Sequence, residues 1–187
     1  MGELRDVTPY PYMNPAALEH TLFWHIRARR EDGSKTFWYV TADKLATSIY
    51  SWRAGTKGKP NGADRCLYRL PELRKVLRRQ VPVILWTEGE KDAETAIRAY
   101  RVPATSHHGG AGKTTREQAA HFRGYRGTVL VVADRDDPGL ACAYRRWRLL
   151  DRLGVRAEIK EPAVYDLQIA GADLTDHADA GAGLDDR

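Results

Sequence analysis

The sequence predicts an α/β fold with a mainly parallel central sheet, and two strand-turn-helix repeats carry this prediction. The apolar run 81–86 leads into Glu88 and a glycine, and the apolar run 128–132 leads into Asp134 and another glycine. A segment with helical character follows each turn. Short runs rich in β-branched residues are typical of strands buried on both faces of a parallel sheet. We therefore expect both strands in the middle of the sheet, with their carboxyl ends at one edge.

Length and composition indicate a globular protein with one core domain and room for a smaller subdomain. The chain has 187 residues, of which 42% are hydrophobic and 29% charged, and such a length can bury a sizeable core. No apolar run approaches the roughly 18 residues of a membrane span, and no apolar segment typical of a signal peptide follows Met1. We therefore expect a cytoplasmic protein. Cys66 and Cys142 lack CxxC spacing, so we expect two small buried residues.

Charge is distributed unevenly along the chain. Residues 1–80 contain 15 Lys and Arg against 8 Asp and Glu, whereas residues 81–187 contain 15 against 17. A basic half that attracts a polyanion, joined to an acidic half that can hold metal ions, suits an enzyme acting on nucleic acid. The alternative is an arginine-rich but merely solvated surface. We predict a basic subdomain over 1–80, a catalytic domain over 81–181 and a tail over 182–187.

The basic subdomain is predicted to contain a β-hairpin. Residues 1–15 include three prolines and suggest an extended lead-in. Two β-rich runs, 21–29 and 36–41, flank a turn at Asp32 and Gly33 that suits a hairpin. Aromatic side chains of these runs can stack the bases of a single strand, although packing as the small core of this half is the favoured interpretation.

Basic residues lie among and beyond these aromatic residues. The segment 51–64 is rich in Gly, Lys and Pro and is typical of a basic loop, which grips phosphates or is an ordinary solvated linker. The candidate nucleic-acid contacts of the first subdomain are Arg27, Arg29, Arg30, Lys57 and Lys59.

Three acidic residues are expected to converge at the carboxyl edge of the sheet, namely Glu88, Asp134 and Asp136. Clustered carboxylates repel one another, so each is costly to keep ionised without a cation among them. Oxygen ligands without matching His or Cys favour Mg²⁺ or Mn²⁺. The alternative structural interpretation is that Glu88 and Asp134 only cap the following helices.

Five segments, in this order and spacing, resemble the TOPRIM domain shared by bacterial-type DNA primases, topoisomerases and several nucleases. They are similar in particular to the primase-like TOPRIM proteins of phages and mobile elements, and the resemblance extends from residue 67 to about residue 181. The segments are 67–73, 88–93, 109–113, 134–139 and 171–176.

The resemblance implies roles for six acidic residues. Glu88 matches a glutamate that acts as a general acid or base or helps to hold a metal ion, and Asp134 and Asp136 match the metal-binding pair. Asp92 lies one helical turn beyond Glu88 and adds a further carboxylate. Asp173 and Asp176 match the late acidic motif. Two metal ions, Mg²⁺ or Mn²⁺, would then serve a site with Glu88, Asp134 and Asp136 as catalytic residues.

The glycine-rich segment 107–114 is not expected to be an ATP-hydrolysing P-loop. His107 stands where the first glycine of GxxxxGK[ST] belongs. In a TOPRIM domain this loop lies beside the acidic edge and offers backbone amides to phosphate, and we interpret His107 and His108 as surface histidines. The candidate phosphate or nucleotide contacts are Lys91, Gly110, Gly112, Lys113 and Arg135.

The resemblance implies a metal-dependent, primase-like nucleotidyltransferase that makes short RNA primers on single-stranded DNA from ribonucleoside triphosphates. Primases commonly use a zinc module and work beside a helicase, so the implied partners include a helicase or a separate zinc-binding subunit. Two alternatives stay open. The same carboxylates can serve a TOPRIM nuclease with water as nucleophile, or the chain is a non-catalytic nucleic-acid-binding accessory of replication.

Overall fold

The computed structural model describes residues 3–41, 58–110, 112–162 and 172–184. The chain divides into two compact units, Met1–Leu70 and Pro71–Arg187. The first contains an antiparallel sheet and the second a parallel sheet flanked by helices, which confirms the predicted α/β class with a smaller strand-containing amino-terminal part. The predicted boundary near residue 80 lies one helix further along the chain than this division.

The first unit contains a three-stranded antiparallel sheet in the order β1-β2-β3. Its strands are β1 (Leu4–Asn14), β2 (Ala17–Arg30) and β3 (Lys35–Thr41). The predicted hairpin is confirmed by β2 and β3. The expected lead-in is instead the paired strand β1. Its prolines are compatible with pairing because β1 lies at the sheet edge, where a missing N–H can face away from the ladder.

Aromatic side chains form much of the core of the first unit. Tyr12 stacks on Phe23 across β1 and β2, with ring centroids 4.8 Å apart. Tyr68 packs edge-on against Tyr10 at 5.5 Å. Tyr12 and Phe23 are fully buried, and ring pairs of this geometry add stability beyond their buried area. Tyr12 and Phe23 are therefore core, whereas Phe37, one of the aromatic residues of the predicted hairpin, is half exposed.

The second unit is built on a four-stranded parallel sheet in the order β5-β4-β6-β7. The two strands predicted to be central, β4 and β6, hold the two middle positions, and most of their residues are buried. The strands are β4 (Val83–Thr87), β5 (Ala104–Ser106), β6 (Thr128–Val132) and β7 (Ala157–Lys160).

Helices cover both faces of this sheet. The chain moves from β4 to its neighbour β5 towards one edge of the sheet, and from β6 to its neighbour β7 towards the other edge. Because both crossovers are expected to be right-handed, their helices α2 and α4 lie on opposite faces of the sheet. In agreement, α2 packs against α5, and α4 packs against α3. The helices are α1 (Leu70–Arg78), α2 (Glu90–Ala99), α3 (Arg116–Ala119), α4 (Asp137–Asp151) and α5 (Leu174–Asp179).

The core of the second unit holds the strand ends in place. Trp86 of β4 is fully buried and stacks on Phe122 at 5.1 Å. Cys142 is buried here, as Cys66 is in the first unit, and both are free thiols, as predicted. Among the described residues, no helix is both long and apolar enough to cross a membrane.

Candidate active site

The carboxyl ends of β4 and β6 bring Glu88 and Asp134 to the same edge of the sheet. The two strands are hydrogen-bonded neighbours, with Trp86 opposite Val131, and each acid follows its strand within two residues. The Oε2 atom of Glu88 is buried and has no hydrogen-bond partner. A buried carboxylate oxygen without a donor is unfavourable in the metal-free protein and is available to a ligand.

Both strand-end acids have pKa values above their ordinary range. Burial, the largest cause, and the charges of Glu88, Asp92 and Asp173 together raise the pKa of Asp134 to about 7, against the opposing effect of Arg146. Burial is also the main cause of the raised pKa of Glu88, where Arg146 acts to lower it and Asp136 to raise it. The predicted mutual repulsion of carboxylates is therefore present at this edge.

The turn that carries Asp134 and Asp136 closes tightly onto the start of α4. Asp136 is the N-cap, and its carboxylate accepts a 2.6 Å hydrogen bond from the Gly139 amide. A Cβ on Gly139 would lie 2.6 Å from the Asp134 carbonyl oxygen and 2.9 Å from Asp136 Oδ1. Only glycine therefore fits this position without a backbone shift. The capping interpretation applies to Asp136, although not to Glu88 or Asp134.

Asp92 lies in the first turn of α2 and is held from across the unit by Thr175. The Thr175 hydroxyl donates to Asp92 Oδ1 at 2.8 Å, and the Thr175 amide donates to the same oxygen at 3.2 Å. Burial and the charge of Asp173 raise the pKa of Asp92 to about 6, against the lowering effect of the Thr175 hydrogen bond and of Lys91. Thr175 is a contributor that sequence reasoning missed, although it lies inside the late acidic motif.

Asp173 and Asp176 form a capping box at the start of α5. The Asp173 carboxylate accepts from the amides of Thr175 and Asp176, and the Asp176 carboxylate accepts from the Asp173 amide at 3.0 Å. Lys91 pairs with Asp173 at 3.1 Å. Burial acts to raise the pKa of Asp173, but the amide hydrogen bonds and Lys91 outweigh it and the pKa is lowered. The Asp176 carboxylate is thus engaged in the cap.

The structure therefore brings five of the six predicted acids into electrostatic contact. Asp134 interacts with Glu88, Asp92 and Asp173, and Glu88 interacts with Asp136. Nevertheless, within the described residues no three His, Cys, Asp or Glu side chains are grouped so as to hold a metal ion.

The donors at this edge fit Mg²⁺ or Mn²⁺ by their chemistry. They are carboxylate oxygens, which these ions prefer, and one of them, Glu88 Oε2, is buried without a partner. Burial and the neighbouring carboxylates raise the pKa of Asp134, and a bound cation would oppose both effects. The residues that fit such an ion best are therefore Glu88 and Asp134, with Asp136 beside them.

A buried arginine beneath this edge was not predicted. Arg146 of α4 is fully buried and donates to the carbonyl oxygens of Trp86 at 3.1 Å and Val132 at 2.8 Å, the ends of β4 and β6. Its charge opposes the raised pKa values of Glu88 and Asp134. The sequence signal was its helical register, since Arg146 shares the buried stripe of α4 with Cys142, Ala143 and Leu150.

The glycine-rich loop after β5 adopts left-handed backbone conformations, with positive φ at Gly109, Gly110 and Gly112. Lys113 is exposed, and its amide donates to the Gly110 carbonyl at 3.3 Å. Of the other phosphate candidates, Lys91 pairs with Asp173 as described, and the Arg135 amide donates to the Ala172 carbonyl at 3.0 Å.

The interpretation of His107 and His108 as surface residues is wrong, since both are buried. The loop folds back so that His107 Nε2 lies 3.3 Å from the Gly110 carbonyl and 3.8 Å from Cys142 Sγ. Burial lowers the pKa of His107 to about 3. His107 is therefore neutral at physiological pH and packs the base of the loop.

The nucleic-acid candidates of the first unit lie mainly on β2. Arg27 is opposite Phe37, and Arg29 is opposite Lys35. Phe37 is half exposed and stacks on His25 at 5.4 Å, so the outer end of this face combines an accessible ring with basic side chains. Arg30 donates to Ser34 and Lys59 pairs with Asp64, while Lys57 lies outside the described residues.

Solved structures similar to this fold are bacterial DNA primases. The E. coli primase catalytic core has a TM-score of 0.62 and 16% identity, over 96% of this chain and 50% of that chain. The Aquifex aeolicus primase, with zinc-binding and RNA polymerase domains, has a TM-score of 0.57 and 18% identity, over 89% and 35%. A DnaG primase catalytic domain bound to ssDNA has a TM-score of 0.60 and 17% identity, over 96% and 50%.

The fold is similar to that of about half of a bacterial primase catalytic core. The resemblance to TOPRIM primases that the sequence predicts is thereby confirmed at the level of the fold. The chain spans between a third and a half of the length of these three solved chains. No protein-family model and no curated protein matches the sequence.

Proposed function

We propose that this chain is a metal-dependent, primase-like nucleotidyltransferase that joins ribonucleotides on a single-stranded DNA template. The observation that supports it most is the pair of strand-end acids, Glu88 and Asp134, at the carboxyl edge of a sheet whose fold is that of primase catalytic cores. Burial is the main cause of the raised pKa values of both acids, and a bound Mg²⁺ or Mn²⁺ would favour their ionised forms.

Each acid has a role in this proposal that follows from its environment. Glu88 and Asp134, together with Asp136, would hold the metal ions, since Glu88 has an oxygen without a partner. Such ions, when bound, activate an attacking hydroxyl and neutralise a leaving oxygen. Asp92 and Asp173 are anchored by Thr175 and Lys91, so they would position the edge and add negative charge around it. Asp176 would position Asp173, because its carboxylate accepts a hydrogen bond from the Asp173 amide.

The remaining candidates would contact phosphate. The amides of the glycine-rich loop, with Lys113 exposed beside them, can bind the triphosphate of an incoming ribonucleotide. Arg135, between the two aspartates of the Asp-x-Asp motif, would neutralise phosphate charge near the acids. Template contact would involve Arg27, Arg29 and the exposed ring of Phe37 in the first unit. A helicase or a zinc-binding chain is the partner we propose for template selection.

The proposal is tested by incubating the protein with single-stranded DNA, ribonucleotides and Mg²⁺ or Mn²⁺. We expect oligoribonucleotides that depend on the metal and that disappear in Asp134→Ala. The matched control is Asp151→Ala, which removes an exposed carboxylate at the other end of α4 and should leave synthesis unchanged.

The same reactions distinguish the alternatives. Shortened template without oligoribonucleotides would indicate a nuclease that uses water as nucleophile. Binding of DNA that Asp134→Ala leaves intact, with neither product, would contradict both enzyme activities and leave a non-catalytic accessory.

A further inference from the structure

An open groove of about 790 Å³ runs along the solvent side of α4. Its lining residues are distinct from the predicted nucleic-acid contacts of the first unit, and apart from Gly112 the proposed chemistry gives them no role. Its cations are arginines, and no acidic side chain lines it. They are Arg116 of α3, Arg145 and Arg148 of α4, and Arg152 directly after α4.

Helical register explains why the arginines form a row. Positions 145, 148 and 152 follow the spacing i, i+3, i+7 and therefore lie on one face of the helix. The opposite face of α4, which includes Arg146 and Leu150, is buried against the sheet. From Pro138 to Arg152 the groove follows about 21 Å of helix, at about 1.5 Å per residue. The arginine row itself, from Arg145 to Arg152, covers about 10 Å of helix, which fits neighbouring phosphates of a chain better than a single phosphate group.

The arginines are available to an anion. All four are exposed, and within the described part of the chain none forms an ion pair with a carboxylate. Arg145 is fixed in direction, because its Nε donates to the Thr114 carbonyl at 2.9 Å. Guanidinium groups pair with phosphate oxygens through two parallel hydrogen bonds, which suits a nucleic-acid backbone.

Tyr144 indicates that the strand is single. It lines the groove beside Arg145 and Arg148, and 53% of its surface is exposed. An exposed tyrosine next to a row of cations matches the combination that binds unstacked bases by their faces and the backbone by its charge. Within a duplex the base faces are stacked and unavailable to such a ring.

We propose that this groove binds a single strand of nucleic acid and leads it to or from the acidic edge. Pro138 lines the groove at the start of α4, and it is two residues from Asp136. The strand would therefore pass from the solvent face of α4 to the carboxyl ends of β4 and β6. This binding does not depend on whether the chain synthesises or cleaves nucleic acid.

The test measures the affinity for a fluorescently labelled 12-nucleotide single-stranded DNA by anisotropy, without metal or nucleotides, at several salt concentrations. We expect the double variant Arg148→Gln/Arg152→Gln to bind roughly 10- to 25-fold more weakly at about 0.1 M salt. The slope of log affinity against log salt should fall in magnitude by about 1.4, since two phosphate contacts are lost. Tyr144→Ala should bind about fivefold more weakly or worse without a change in slope, and Tyr144→Phe should bind like wild type.

The matched control is Arg98→Gln/Arg101→Gln, which removes two exposed arginines at the end of α2, a helix on the opposite face of the sheet. An equal loss in the control would overturn the proposal, because it would show only a response to net charge. The proposal would also be overturned if Arg27→Gln/Arg29→Gln abolished DNA binding while the α4 variants left it unchanged. Loss in the arginine variant but not in Tyr144→Ala would contradict single-strand binding. Since no synthesis is measured, failure of the priming proposal leaves these outcomes unaffected.

Discussion

Two groups of acids at one edge of the sheet have opposite environments. Glu88 and Asp134, at the ends of β4 and β6, have raised pKa values, and Glu88 has an oxygen without a hydrogen-bond partner. Asp173, at the start of α5, accepts two amide hydrogen bonds and pairs with Lys91, and its pKa is lowered. Carboxylates that neighbour one another in space are thus divided into strained and satisfied groups.

The difference between these environments indicates which acids stabilise the unit and which are retained for function. Asp173, the satisfied acid, caps α5 and pairs with Lys91 of α2, so it holds the two helices together. This contribution is to the stability of the fold. The strained pair costs stability in the metal-free protein and is compensated only in part by Arg146, which is held by the strand-end carbonyls beneath it. Groups that a fold retains at a cost in stability are candidates for function. Stability measurements can therefore test this division without an activity assay.

The largest expected effect concerns the pH dependence of the metal-free protein. The folded-state pKa of Asp134, about 7, is above the value of about 3.9 for an unfolded aspartate. The stability associated with its protonated form is therefore complete below about pH 4 and is lost as the pH rises through about 7. We expect wild type to lose on the order of 2–4 kcal/mol of unfolding free energy between pH 4 and 8 from this group, with solvent screening favouring the lower end. Urea unfolding at both pH values measures it.

Asp134→Asn should flatten this dependence, because it removes the repelled charge while keeping the shape of the side chain. The exposed Asp151→Asn serves as control and should follow wild type. Addition of Mn²⁺ at pH 8 should raise the melting temperature of wild type and of the control but not of Asp134→Asn. An equal free energy of unfolding at pH 4 and pH 8 in wild type would contradict the description of Asp134 as a strained acid in contrast to Asp173.

The next effect compares the glycines that follow the two strand ends. In Gly139→Ala the new methyl group would meet the Asp134 carbonyl at 2.6 Å, so the turn must move, at a cost of about 1–3 kcal/mol. Gly89→Ala is the matched control, since its Cβ would lie 3.4 Å from Asp92 Oδ2, an ordinary contact. We expect it to lose less than about 1 kcal/mol. Denaturant unfolding ranks the two, and equal losses would show that the Asp134 turn is not sterically fixed.

Much of the sheet could be predicted because each central strand is a local pattern. The runs before Glu88 and Asp134 are apolar and stop at a carboxylate and a glycine, which was enough to predict their adjacency. The strand β1 was missed because its prolines suggested irregular chain, whereas at a sheet edge they are tolerated. His107 and His108 were misplaced because their burial depends on how the glycine loop folds back, which no local pattern records.

The division among the acids could not be predicted for the same reason. The motifs identify Glu88, Asp92, Asp134 and Asp173 as acids of one edge, but their environments depend on donors that lie far along the chain. Thr175 is 83 residues from Asp92, and Arg146 reaches the end of β4 from 60 residues away. Only the tertiary structure shows which carboxylate has donors.

The smallest expected effect tests the satisfied acid. Asp173→Ala removes the N-cap of α5 and the pair with Lys91, and we expect a loss of about 1–2 kcal/mol at pH 7. Asp173→Asn is the matched variant, because asparagine caps as well as aspartate but has no charge for Lys91, so it should lose under about 1 kcal/mol. The folded-state pKa of Asp173 is lowered, so its ionic contribution is present above the unfolded value of about 3.9 and disappears as the pH falls through the folded value. The difference between wild type and Asp173→Asn should therefore shrink towards pH 3, the reverse of the behaviour expected of Asp134. A difference that grows on acidification would show that Asp173 too is strained, and that the edge contains one group of acids and not two.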